Sequence, residues 1–225
     1  MNEFTKQIIS CAFSLVVLIS AYLGSYLPYK QSTDYINLLR SQDSIKTIED
    51  FKSRFAAVLD SPSPIGAEEL TRNLATIVTN VVQYNGKESP AVAEEVINFL
   101  DSYYAPLLAK PRGLSFGQDL YVLGSLNEVA FIQTNNPKYL AASKSYYLRG
   151  LELSPNRPQY LYGAFDVYRM EGNEAKIRET ADKILTLWPN DEKTKNVYAE
   201  VLKEMDRAKG AKTPTSTPKV APKKK

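Results

Sequence analysis

A chain of 225 residues with 44% hydrophobic content is long enough to bury a core, and its formal net charge of +3 gives no broad basic or acidic bias. It has no histidine and a single cysteine, Cys11, so an intrachain disulfide, a cysteine-histidine zinc site and a histidine-based catalytic triad are all excluded. After Met1 and Lys6, residues 8–27 carry no charge, a run of about 20 residues, the length that crosses a hydrocarbon core. Tyr22, Tyr26 and Tyr29 gather at its far end, where amphipathic rings favour the membrane interface, and Pro28 ends the apolar run before Lys30. These features predict a membrane anchor helix over residues 1–30. A lipoprotein reading of Ile8-Ile9-Ser10-Cys11 is disfavoured because the apolar run follows the cysteine. Residues 20–25 offer no clean pattern of small residues for signal peptidase, so a retained anchor is favoured over a cleaved one. Flanking charges are nearly balanced. The short leader favours a cytoplasmic N-terminus, with the bulk of the chain outside the membrane or in a secretory lumen.

Beyond the anchor every long segment has helical spacing and none alternates as a strand, which predicts an all-α chain. Over residues 31–117 irregular helix pairs are expected. Ile45, Ile48, Phe51, Phe55, Val58 and Leu59 form one apolar stripe behind an Asp43-Ser44 start signal, and Ser61-Pro62-Ser63-Pro64 with Gly66 breaks it. Leu70, Leu74, Ile77, Val78 and Val81 form the next, closed by Asn85-Gly86. A third helix starts near Pro90 with Val92, Val96, Phe99 and Leu100 on its buried face, and Pro106 ends or kinks it. The pairs Glu68-Glu69, Glu94-Glu95 and Asp191-Glu192 are each expected at a helix start, where acids favour the free amides and the macrodipole, rather than as catalytic carboxylates. No GxGxxG, P-loop or acidic metal-loop pattern occurs, so no enzyme activity and no cofactor or metal are expected.

From residue 118 a fixed period emerges. Leu151-Glu-Leu-Ser-Pro155-Asn156 and Leu185-Thr-Leu-Trp-Pro189-Asn190 end alike, with their Pro-Asn pairs 34 residues apart, the length of a helix-turn-helix repeat. Here the chain resembles the tetratricopeptide repeat family. A first unit spans residues 124–157, with Ser143, Tyr147 and Gly150 as the small-aromatic-small signature, and a second spans residues 158–191, with Leu161, Tyr168, Gly172 and Pro189 at signature positions. Phe131 and Phe165 depart from the family by standing where it prefers small residues, and Ile177, Ala181 and Ile184 replace the second signature. A polar-faced capping helix with Val197, Val201, Leu202 and Met205 completes the region 118–208. The resemblance implies an α-solenoid of helix pairs whose first helices line a concave face. Glu128, Ile132, Tyr162, Asp166 and Arg169 are the candidate contacts for a protein or peptide partner, with the alternative that Asp166 and Arg169 simply pair on a solvated helix face.

Asp50-Phe-Lys-Ser-Arg-Phe-Ala, Ser63-Pro64-Ile-Gly66, Asn136-Pro-Lys-Tyr139 and Leu153-Ser-Pro-Asn-Arg-Pro158 are similar to the extracytoplasmic repeat region of bacterial O-antigen ligase-like proteins. A single span cannot hold the polytopic ligase part, so the resemblance implies an accessory module at a bacterial inner membrane and no glycosyl transfer. A second function is an accessory role in envelope polysaccharide synthesis or export through glycan recognition, for which Tyr103, Tyr104, Tyr146 and Tyr147 would have to be exposed; their helical spacing favours the core. Residues 207–225 hold seven basic residues and no acid, so the remainder of the chain is negative and a nucleic-acid partner is not expected. The tail 209–225 is read as disordered, able to touch anionic lipid or an acidic polymer.

Overall fold

The structure, a computed structural model, describes residues 2–110, 113 and 115–211. Its elements are α1 (Glu3–Ala21), a π-turn (Tyr22–Tyr26), α2 (Leu27–Arg40), a 3-10 turn (Gln42–Ser44), α3 (Ile48–Leu59), α4 (Ala67–Asn85), α5 (Pro90–Ala109), α6 (Ser115–Thr134), α7 (Pro137–Leu153), α8 (Pro158–Glu171), α9 (Glu174–Leu187) and α10 (Glu192–Ala211). Among the described residues there is no strand. Two compact units, Met1–Tyr146 and Tyr147–Lys225, divide the chain within α7.

In the first unit, α1 and α2 form one continuous helix, Glu3–Arg40, of 38 residues. It is long and apolar enough to cross a membrane, and its apolar window has no burial inside the fold. Pro28 does not end it. The π-turn supplies the reason: the Leu27 amide bonds to the Tyr22 carbonyl, so the ladder is re-registered one residue before Pro28, which then occupies the first turn of α2, where its missing N–H costs little.

Beyond it, α4 packs on both α5 and α6, and α2 packs on α3. Leu74, Val78 and Val82 of α4, Val96 and Leu100 of α5, and Leu123 and Leu126 of α6 are fully buried. Phe51 and Phe55 extend this core with ring centroids 4.5 Å apart, and Phe99 meets Phe51 edge-on. Three helix boundaries differ from the sequence reading. The cap of α3 is Thr47, whose hydroxyl accepts the Asp50 amide, while Asp43 and Ser44 belong to the preceding 3-10 turn. Helix α5 passes through Pro106 to Ala109, its last turn held by buried Tyr104 and by Leu107 and Leu108 packed on the core. Glu94 and Glu95 lie beyond the first turn of α5, where they pair with Lys138 and Lys52.

In the second unit, α8 packs on α9 and α9 on α10. Glycines set the spacing at its start. A Cβ on Gly150 would overlap the Tyr160 ring, and one on Gly163 would overlap the Tyr147 ring. Two aromatic faces therefore lie directly on backbone, which a larger residue at either position forbids. Leu161, Phe165 and Tyr168 of α8 and Ile177, Ala181 and Ile184 of α9 are buried. Gly172, with φ +66°, makes the left-handed stop that ends α8. Helix α10 extends through Ala211, so positions 209–211 are helical and not part of the disordered tail expected from the sequence. The rest of that tail, 212–225, lies outside the described residues.

Candidate functional site

Tyr162, Asp166 and Arg169 stand at i, i+4 and i+7 of α8 and so share one face. With Phe165 they form one wall of a cleft of about 410 Å³, whose other wall is Lys193, Thr194 and Val197 of α10 with Asp191 at its cap. A second cleft of about 420 Å³ follows along the same two helices, lined by Asp166, Arg169 and Met170 on one side and Val201, Glu204 and Met205 on the other. Both share Asp166 and Arg169. The result is an open groove with an apolar floor and charged rims, and the methionines give it an adaptable end.

Asp191 organises one end. Its carboxylate accepts the Thr194 amide at 3.0 Å, the Thr194 hydroxyl at 2.6 Å and the Tyr162 hydroxyl at 2.7 Å. It is thus the N-cap of α10 and ties that helix to α8. The Thr194 hydroxyl, followed by the Tyr162 hydroxyl and the Thr194 amide, holds the Asp191 carboxyl below its ordinary value. Desolvation, then the bond to Asp191, pushes the Tyr162 phenol up to about 12. The Trp188 and Tyr162 ring centroids lie 6.1 Å apart, with the rings tilted by 31°. The Tyr162 hydroxyl is thus engaged within the fold.

Arg169 and Asp166 pair at 2.7 Å, and the Arg169 guanidinium lies 5.8 Å above the Phe165 ring. Both charged side chains are a little over a third exposed, so the pair adds little stability. Of the other two sequence candidates, Ile132 is 59% exposed and Glu128 is half-buried; they stand one turn apart on α6 in the first unit. Trp188, Asp191, Thr194 and Val197 are not among the contacts that the repeat pattern picks out, though they line or border the groove. The signal for Asp191 and Thr194 was present in the Asp-x-x-Thr spacing at the start of α10.

Tyr104 and Tyr147 are buried, and Tyr103 and Tyr146 pack against the core of the first unit. Two of the four tyrosines named for glycan recognition are thus buried and two partly buried. Tyr103 donates its hydroxyl to Asp60 at 3.1 Å.

A polar cluster unforeseen from sequence lies inside the first unit. Asp119 of α6, only 2% exposed, accepts the Arg72 Nε of α4 at 2.9 Å, and the same guanidinium reaches Glu68 at 3.0 Å. A cleft of about 250 Å³ beside it is lined by Glu68, Pro106, Leu107, Lys110, Phe116 and Asp119. Burial pushes the Asp119 carboxyl up to about 6 against the opposing pull of Arg72. Burial and the Asp119 charge likewise push the Tyr104 phenol up. The cluster clamps α4 to α6. Among the described residues, no group of three or more His, Cys, Asp or Glu side chains converges as a metal site would.

Comparison of the chain with protein-family models, with curated proteins and with solved structures finds no match in any of the three.

Proposed function

We propose that this protein is a membrane-anchored, tetratricopeptide-like scaffold. It is held in a bacterial inner membrane by residues 8–27 and presents its helical units on the extracytoplasmic side. In this reading the second unit grips a segment of a protein partner in the groove between α8 and α10, and the chain carries out no chemistry of its own. The observation that carries the reading is the groove itself: Tyr162, Asp166 and Arg169, chosen from the repeat pattern, line one cleft over an apolar floor with Phe165 and Val197. An aromatic face flanked by an opposed charge pair suits an extended peptide bearing an apolar side chain between polar neighbours. The 34-residue spacing of Pro155 and Pro189 and the glycine-ring packing of Gly150 and Gly163 support the repeat reading.

Site-specific photocrosslinking in intact membranes tests it. A benzophenone residue at Lys193, on the exposed rim, is expected to trap a discrete protein, and Tyr162→Ala with Arg169→Glu should abolish that adduct without lowering the amount of the chain. An adduct indifferent to both substitutions, or trapping of glycan alone, would refute the groove as the binding site. A topology reporter after Lys225 tests the orientation separately, and a cytoplasmic signal would move the domain to the other side of the membrane.

A further inference from the structure

We infer that one end of the first unit is itself a membrane-contact surface, with the loop 61–66 placing Ile65 in the lipid interface beside the emerging anchor helix. This rests on the reading that residues 8–27 span the bilayer, and it adds a second point of attachment to that span.

The argument starts from the absence of a hinge. The helix bonds run through the π-turn and on to Arg40, so α2 leaves the membrane as a direct extension of α1. At about 1.5 Å per residue, Gln31 stands about 6 Å beyond Leu27, one turn outside the apolar span. Gln31 is buried, at 4% exposure, and its side-chain amide donates to the Val58 carbonyl at 3.2 Å and the Ser61 carbonyl at 3.4 Å. Val58 is in the last turn of α3 and Ser61 follows its cap; the Val58 carbonyl also accepts the Ser61 amide at 3.3 Å, so the Gln31 amide joins the carbonyls at the C-terminal end of α3, where helical donors run out. The end of α3 is therefore fastened to the anchor helix at the level where that helix enters the headgroups.

The other helices follow from this register. Pro28, Gln31, Ile65 and Glu69 line one cleft of about 350 Å³. Leu39, near the end of α2, and Gln42 in the turn after it share a cleft with Asn80 and Tyr84. Helix α4 thus climbs away from the membrane alongside α2, starting at the loop 61–66 and ending at Tyr84. Helix α5 returns, since Glu95 pairs with Lys52 midway along α3 and Tyr103 bonds to Asp60 at its end. Its terminal Lys110 shares a cleft with Glu68, in the first turn of α4. The loop 61–66 and the end of α5 consequently lie at one end of the unit, the end nearest the span.

At that end Pro62, Pro64 and Ile65 are exposed, Ile65 by 59%, and Tyr29 stands exposed on the neighbouring helix. A lone exposed isoleucine needs no explanation elsewhere on a protein. Here its position supplies one, because an apolar tip within a turn of the hydrocarbon boundary finds acyl chains instead of water. Lys30 is paired with Asp34 at 2.7 Å and Glu68 with Arg72, and exposed Lys110 stands at this end; among the described residues the exposed acids here are Glu69 and Asp60, the latter accepting the Tyr103 hydroxyl.

The test uses the full chain in phosphatidylcholine–phosphatidylglycerol vesicles, in a Cys11→Ser background, with an environment-sensitive fluorophore on single cysteines at Leu15, Tyr29, Pro64, Ile65 and Tyr84. Lipids spin-labelled in the upper acyl chain serve as quenchers. The Ile65→Cys and Pro64→Cys probes are expected to be quenched to the same extent as Tyr29→Cys and at least threefold more than Tyr84→Cys. Both loop positions are exposed, so neither substitution disturbs the core. If Leu15→Cys is quenched while both loop probes behave like Tyr84→Cys, the second contact is overturned and the span stands. If quenching is absent at Leu15→Cys as well, the span fails and the inference fails with it.

Discussion

The two units solve the same problem of packing helices by opposite means. In the first, α4, α5 and α6 meet mainly through branched aliphatic side chains such as Val78, Val96 and Leu123, all fully buried. In the second, rings lie on bare backbone, Tyr147 on Gly163 and Tyr160 on Gly150. The interior of the first unit, extended by Phe51, Phe55 and Tyr104, encloses Asp119, which pairs with part-exposed Arg72. In the second unit the rings anchor one side of α8, α8 packs on α9 and α9 on α10, and a groove stays open between α8 and α10. The first unit carries the helix long and apolar enough to cross a membrane; the second carries the groove proposed to hold a partner.

Trp188 is the sole tryptophan and belongs to the second unit, so its fluorescence reports that unit, whereas circular dichroism reports both. Denaturant titration of the full chain in detergent with both signals can therefore break or sharpen the contrast. The largest effect is expected for Phe55→Ala, which empties a site 1% exposed and packed against Phe51. A loss of about 3–5 kcal/mol is expected for such a truncation. The dichroism transition should fall to lower denaturant while the Trp188 midpoint holds. Coincident shifts in both signals would show the units unfolding together and remove the contrast.

Next comes Arg72→Leu, which strands the Asp119 carboxylate. Removing one partner of a buried pair costs about 3 kcal/mol or more. The sign with pH is fixed by the raised Asp119 value. The folded state binds that proton more tightly than the unfolded chain, whose ordinary value is 3.8. The contribution is therefore fully present below 3.8 and is lost as pH rises through about 6. Arg72→Leu pushes the folded value higher still, so its deficit by circular dichroism should be larger at pH 7.5 than at pH 4.5. An equal deficit at both would mean that Asp119 feels Arg72 through packing alone.

Gly163→Ala probes the second unit by overpacking. The added methyl meets the Tyr147 ring, which is 2% exposed and enclosed, so a loss of about 1–3 kcal/mol is expected in the Trp188 transition. Tyr147→Leu on the same chain should recover part of it, and the non-additivity of the double mutant measures the contact directly.

The helices and most of their buried faces were legible because apolar residues recur at helical spacing: Phe51, Phe55 and Val58, or Leu70, Leu74 and Val78, are both the pattern and the core. Local chemistry misled at boundaries. Asp43-Ser44 and Thr47 are all plausible caps, and only the extended backbone at Thr47 selects it. Pro106 breaks a helix in isolation but not one whose final turn is pinned by Tyr104 and Leu107. The Arg72–Asp119 pair was invisible, since periodicity says which face is buried and never which residue 47 positions away lies opposite. The groove was half legible: one helix of the repeat gave Tyr162, Asp166 and Arg169, while the wall from α10 depends on how the cap helix docks.

The smallest effect, and the one closest to the groove, is expected at Asp191. Its carboxylate caps α10 through the Thr194 amide and also receives the Thr194 and Tyr162 hydroxyls. Asp191→Ala should cost about 1 kcal/mol in the Trp188 transition, the usual worth of an N-cap. Asp191→Asn keeps a capping oxygen and should cost only a few tenths of that. The carboxyl is held below its ordinary value of 3.8, so its contribution is present above that pH and fades as pH falls through the lowered value. The gap between the wild type and Asp191→Ala should therefore narrow under strong acid, whereas the gap for Gly163→Ala, which involves no titrating group, should not. If Asp191→Ala instead leaves the midpoint unchanged but loosens Tyr162, seen as a shift of the Trp188 emission, then the carboxylate serves the shape of the groove more than the stability of the helix.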